Sequence, residues 1–147
     1  MYPNNNYRYL PLRIASILTT SYVATPIIGK VPTDLATLPP DPAYLSGPVG
    51  LQNQLILYVD FIKGSLTTAE LIVEFSDDGL DWYQETLDDA AASTGIVTER
   101  PLVRTLGATG KYRIPVKIND QYIRVSIKGT GTVTDSSAKI NAIIGNN

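Results

Sequence analysis

Eight of the ten prolines in this 147-residue chain fall within its first 50 positions: Pro3, Pro11, Pro26, Pro32, Pro39, Pro40, Pro42 and Pro48. Proline has no amide hydrogen to give to a helix or a sheet ladder, and it holds the preceding residue in extended geometry. A regular helix and a central sheet strand are therefore both excluded there. Short extended pieces are expected instead, the best being Leu12-Arg13-Ile14, Tyr22-Val23-Ala24 and Ile27-Ile28. Thr33 to Leu38 has room for one helical turn capped by Thr33 or Asp34. Leu38 to Pro48 reads as loop.

From Leu51 onward the pattern is that of strands. Leu55, Leu57, Val59 and Phe61 alternate with Ile56, Tyr58, Asp60 and Ile62, a strand buried on much of both faces. Leu71, Val73 and Phe75 alternate with Glu70, Ile72 and Glu74, which predicts a wetter outer face. Lys63-Gly64-Ser65 and Ser76-Asp77-Asp78-Gly79 are turn chemistry, with Trp82-Tyr83 opening the next strand. Thr86 to Gly95 is small, polar and acidic and reads as a loop or one short helical turn. Strands resume at Ile96-Val97 and Leu102-Val103, then at Tyr112-Ile114-Val116. Ile123, Val125 and Ile127 form the cleanest half-buried alternation, Gly129-Thr130-Gly131 is expected to turn the chain, and Ala138 to Ile144 closes it. Short β-rich runs broken by turn signals every ~8–12 residues predict an all-β fold, a β-sandwich or jelly roll. The extended, proline-rich N-terminal segment spans residues 1–50 and the sandwich core residues 51–147.

An apolar fraction of 44% and a charged fraction of 18% fit a globular chain. The net charge of −2 does not suit a nucleic-acid partner, which calls for a clearly basic domain. No apolar run approaches the ~20 residues that span a bilayer. Met1-Tyr2-Pro3-Asn4-Asn5-Asn6 has no basic region leading into an apolar stretch, so the expectation is synthesis and retention in a cytoplasm until assembly. With no Cys and no His, disulfides, thiolate metal sites, Ser-His-Asp and Cys-His catalysis and His-bound zinc all fall away. The chain is read as a non-enzyme without a cofactor.

Acids and bases are separated along the chain. Between Lys63 and Arg100 lie nine acids and no base, whereas residues 100–139 hold eight of the twelve basic residues against Asp120 and Asp135. Pairing of adjacent strands within one molecule accounts for this layout, and so does complementarity between copies packed side by side. Within the acidic stretch Asp77, Asp78 and Asp81 could offer oxygens to Ca²⁺, although Asp and Gly also suit a tight turn with no metal. Glycoside hydrolysis needs two acids facing across a cleft, and these crowd one hairpin and its loop. Trp82 is expected to anchor that hairpin in the core. In the proline-rich segment Leu35, Leu38, Tyr44, Leu45 and Val49 remain to be buried, and they are the candidates for packing on another protein chain.

The stretch Glu74-Phe75-Ser76-Asp77-Asp78-Gly79-Leu80-Asp81-Trp82-Tyr83 resembles the Ser-x-Asp-Gly-x-x-Trp hairpin of β-sandwich proteins in tailed-phage particles. Lys111 to Gly145 resembles their closing strands. The hairpin is also similar to the Asp-box of sialidase propellers, but it is one residue short of that spacing and occurs once. The phage resemblance implies a virion structural protein of the head-decoration or auxiliary capsid type, placed in the virion after synthesis in the host cytoplasm. Its implied partners are copies of itself, as a homo-oligomer within the assembly, and other virion proteins such as the major capsid protein. Collar, head-tail connector and tail roles stay open within that class. A carbohydrate-binding β-sandwich module is the alternative from another class, since such modules carry similar hairpins.

Overall fold

A computed structural model describes residues 8–29, 44–45, 54–91, 95–118 and 120–145. The described residues form strands and turns, with no helix among them. In chain order the strands are β1 (Arg8–Ser16), β2 (Val23–Ala24), β3 (Ile27–Gly29), β4 (Tyr44–Leu45), β5 (Gln54–Ile62), β6 (Leu66–Ser76) and β7 (Tyr83–Gln84). There follow β8 (Thr86–Ala91), β9 (Ile96–Pro101), β10 (Arg104–Leu106), β11 (Gly110–Lys117), β12 (Tyr122–Gly131) and β13 (Ser137–Gly145).

Two sheets face each other. The four-stranded sheet runs β1-β13-β5-β11. The larger runs β10-β6-β12-β3-β4, with β2 also on β12 and β7 also on β6. Alternation along each strand sends one parity inward. From the four-stranded sheet come Leu12, Leu55, Leu57, Val59, Phe61, Ile140 and Ile144, and from the larger one Ile28, Leu71, Val73, Ile123, Val125 and Ile127. They merge into a single buried cluster, and each such side chain contributes roughly 1.5–3 kcal/mol through burial. This is a β-sandwich.

The N-terminal segment supplies strands to both sheets. β1 lies antiparallel beside β13, from Arg8 opposite Ile144 to Ser16 opposite Ala138, with shifts in register after Pro11 and Arg13. The Arg13 guanidinium fills the gap those shifts open. It donates to the carbonyls of Ala138, of Ser16 at 3.0 Å and of Ile17 at 3.0 Å. β2 and β3 run antiparallel to β12, and β4 lies parallel to β3, so β3 is flanked on both sides, against the expectation of no central strand here, because Ile27–Gly29 is free of proline.

Three local expectations are corrected. Thr86 to Ala91 is a strand, not a loop or helical turn, because its six residues pair in full with Ile96 to Pro101. Asp and Ala are poor strand formers, so partnership imposes the extended form there. Leu102-Val103 lies between strands, and β10 begins at Arg104. Gly129-Thr130-Gly131 does not turn the chain but ends β12, with the turn following at Thr134-Asp135. A Cβ on Gly129 would come within 2.6 Å of Leu66 Cδ2, so glycine here permits close cross-strand packing. The Thr33–Leu38 turn lies outside the described residues.

Candidate functional site

The Ser76–Asp81 turn is built by hydrogen bonds within itself. The Ser76 hydroxyl accepts from the Gly79 amide at 2.8 Å and donates to Asp78 Oδ1 at 2.9 Å. The same Oδ1 accepts the amides of Leu80 at 2.8 Å and Asp81 at 2.9 Å. Gly79 takes φ of +78°, a left-handed conformation that glycine adopts without steric cost. Amide hydrogen bonds from Asp81 and Leu80, then the Ser76 hydroxyl, hold the Asp78 carboxyl below the ordinary carboxylate range. Among the described residues no three carboxylates gather into a metal-binding group, and Asp77 and Asp81 do not converge with Asp78 on a common point.

Trp82, expected as a core anchor, is instead half-buried on the outer face of the larger sheet. The Arg124 guanidinium lies 4.4 Å from its ring centroid, so one face of the indole is taken. Arg124 also grips Glu74 through Nε at 3.0 Å and Nη2 at 3.2 Å. One turn of the ladder away, Lys128 pairs with Glu70 at 3.3 Å and sits 4.7 Å from the Tyr22 ring centroid. The Tyr22 hydroxyl donates to Glu70 at 3.1 Å. Partial burial, the hydrogen bond to Glu70 and its negative charge push the Tyr22 phenol up to about 12. On this face the acids of β6 and the bases of β12 satisfy each other within one molecule.

The outer face of the four-stranded sheet differs. Because β11 and β13 flank β5, Lys111, Asp60 and Lys139 form one row across three strands. Arg113, Tyr58 and Asn141 form the next. These six side chains line an open depression of about 280 Å³, with three cations against one carboxylate. Lys117 extends the positive charge along β11. None of these four cations forms an ion pair among the described residues. β11 is also an edge strand, and its Lys, Arg and Pro115 oppose unwanted strand addition.

The third feature is the β8–β9 hairpin, whose strands, among the described residues, pair only with one another. Its base is fixed. The Glu85 amide donates to Val73 O at 2.9 Å and the Leu102 amide to Glu85 O at 2.8 Å. The Gln84 side-chain amide reaches Leu102 O at 3.2 Å, and Arg104 Nη1 lies 2.6 Å from Glu85 Oε1. Beyond that clamp all of β9 is exposed, with Leu87 41%, Ile96 62% and Val97 57% accessible. Asp88 stands directly opposite Glu99, a like-charge pairing that sheets disfavour. A six-residue strand at ~3.3 Å per residue makes an arm roughly 20 Å long.

Of the residues expected to meet another chain, Tyr44 and Leu45 form β4, which pairs with Ile27 and Ile28 of the same molecule. Leu35, Leu38 and Val49 lie outside the described residues. Sequence reasoning missed the hairpin and the basic face, although the charge layout announced both signs. Among the described residues no helix is long and apolar enough to cross a membrane. No protein-family model matches the chain, and no curated protein matches it.

Proposed function

We propose that this chain is a structural protein of a tailed-phage particle, decorating or cementing the capsid through contacts between subunits. The observation that carries this reading is the β8–β9 hairpin, clamped at its base and exposing Leu87, Ile96 and Val97. An isolated two-stranded ribbon is at best marginally stable in water, so apolar side chains on one suit a contact made in an assembly. The Glu74–Tyr83 resemblance to hairpins of phage-particle sandwiches supplies the setting, and a chain lacking His and Cys suits a scaffold better than a catalyst. Partners are further copies of the chain and the surrounding shell proteins.

Mass spectrometry of purified particles tests the proposal. The chain should be present in a fixed, repeated copy number and should rebind particles stripped of it. Absence from particles, combined with saturable binding to a glycan array, would replace this reading with that of a carbohydrate-binding module.

A further inference from the structure

Resting on that assembly reading, we infer that the β8–β9 hairpin of one copy docks into the basic depression on the four-stranded sheet of a second copy. The two surfaces complement each other in charge. The hairpin is a narrow ribbon that presents Asp88 and Glu99 side by side with Val97 two residues further along the same face. Among the described residues neither carboxylate is ion-paired; Glu99 accepts only the Thr86 hydroxyl, at 2.8 Å. The depression offers Lys111, Arg113 and Lys139 around Tyr58, three cations against the single carboxylate of Asp60, and none of the three forms an ion pair among the described residues. Elsewhere the opposite charges of this chain do find each other, as Glu70–Lys128, Glu74–Arg124 and Glu85–Arg104. The like-charged pair of the hairpin and the cations of the depression are thus left without ion pairs, on different parts of the molecule. A second copy supplies the missing partner for both.

The contact is heterologous: a surface of one copy meets a different surface of the next, and each copy keeps a free hairpin or a free depression. Such contacts propagate until a ring or a lattice closes them. A ribbon face about 20 Å by 10 Å offers only ~200 Å², far less than the ~800 Å² per partner of a stable interface. Isolated copies should thus associate weakly and in a salt-sensitive manner, and repetition within an assembly would provide the strength.

Because the chain has no cysteine, introduced thiols report the contact cleanly. With oxidised glutathione as the two-electron oxidant, a Val97→Cys chain mixed with an Asn141→Cys chain should form the mixed disulfide about tenfold faster than with a Thr132→Cys chain, through raised local concentration. Asp88→Lys with Glu99→Lys on the hairpin should abolish that preference. Lys111→Glu with Lys139→Glu on the receiving copy should restore it. Equal rates for Asn141→Cys and Thr132→Cys, or charge reversal without rescue, would overturn the inference. These measurements use purified chain, so they can fail while the protein is still found in particles, and they can succeed if it is not.

Discussion

Arg124 lies between Trp82 and Glu74, stacked 4.4 Å from the indole centroid and bonded to the carboxylate at 3.0 Å. Removing Trp82 therefore uncovers an ion pair rather than emptying the core. Trp82→Ala should cost about 2 kcal/mol, less than the ~3–5 kcal/mol of a fully buried aromatic. A double-mutant cycle with Arg124→Ala, read by urea unfolding, should give a coupling of about 0.5–1 kcal/mol.

Arg13 ties the irregular end of β1 to β13 by donating to the carbonyls of Ser16, Ile17 and Ala138. Arg13→Ala leaves those acceptors short of a partner and should destabilise by about 2 kcal/mol in equilibrium unfolding. Arg13→Lys should recover only part of this, since an ammonium cannot reproduce the planar fork.

Acid should open the Ser76–Asp81 turn. The folded Asp78 carboxyl lies below its unfolded value, so its contribution is complete above the ordinary carboxylate range and is lost as pH falls through the folded value. Melting temperature measured down the acid limb should fall less steeply in Asp78→Asn than in the parent. Identical slopes would mean that the turn does not depend on the charge.

Alkali acts on the other side through Tyr22, whose phenol is raised to about 12. A raised value means that the stabilisation is intact below the unfolded value near ~10 and disappears as pH climbs through the folded one. Tyr22→Phe should remove that part of the alkaline loss. In an ultraviolet titration, the parent minus Tyr22→Phe difference should show one phenolate forming at about 12.

The hairpin should be dispensable for folding. Replacing residues 86–101 by an Asn-Gly turn, closed by the Leu102 amide on Glu85 O, removes no described side chain of the buried cluster. Stability should change by no more than about 0.5 kcal/mol, as for surface changes away from special features. Calorimetry of the shortened chain checks this, and a large loss would show that the ribbon braces the sandwich.

The sequence disclosed the sandwich wherever a strand keeps one face dry. Ile123, Val125 and Ile127 alternate with Arg124, Ser126 and Lys128, and β12 follows that pattern. Thr86 to Ala91 is opaque because, Thr86 apart, nothing in Thr-Leu-Asp-Asp-Ala-Ala favours a strand; the partner that makes it one begins only at Ile96. The basic depression was equally hidden. Lys111, Arg113 and Lys139 become neighbours only because β5 takes β11 on one side and β13 on the other, and periodicity carries no information about strand order. For Trp82 the reason is simpler. A large aromatic suggests burial, but the turn before β7 sets it over the outer face beside Arg124.

The pairing of Arg8 with Ile144 also imposes an order in time. The larger sheet has its main strands once β12 has left the ribosome, but β1 has no sheet neighbour until β13 emerges. At ~5–20 residues per second that wait is on the order of 10 s. For that interval Leu10 and Leu12 of β1 belong to an open chain, and the four-stranded sheet is reduced to β5 and β11. Its completion awaits β13, which enters between β5 and β1.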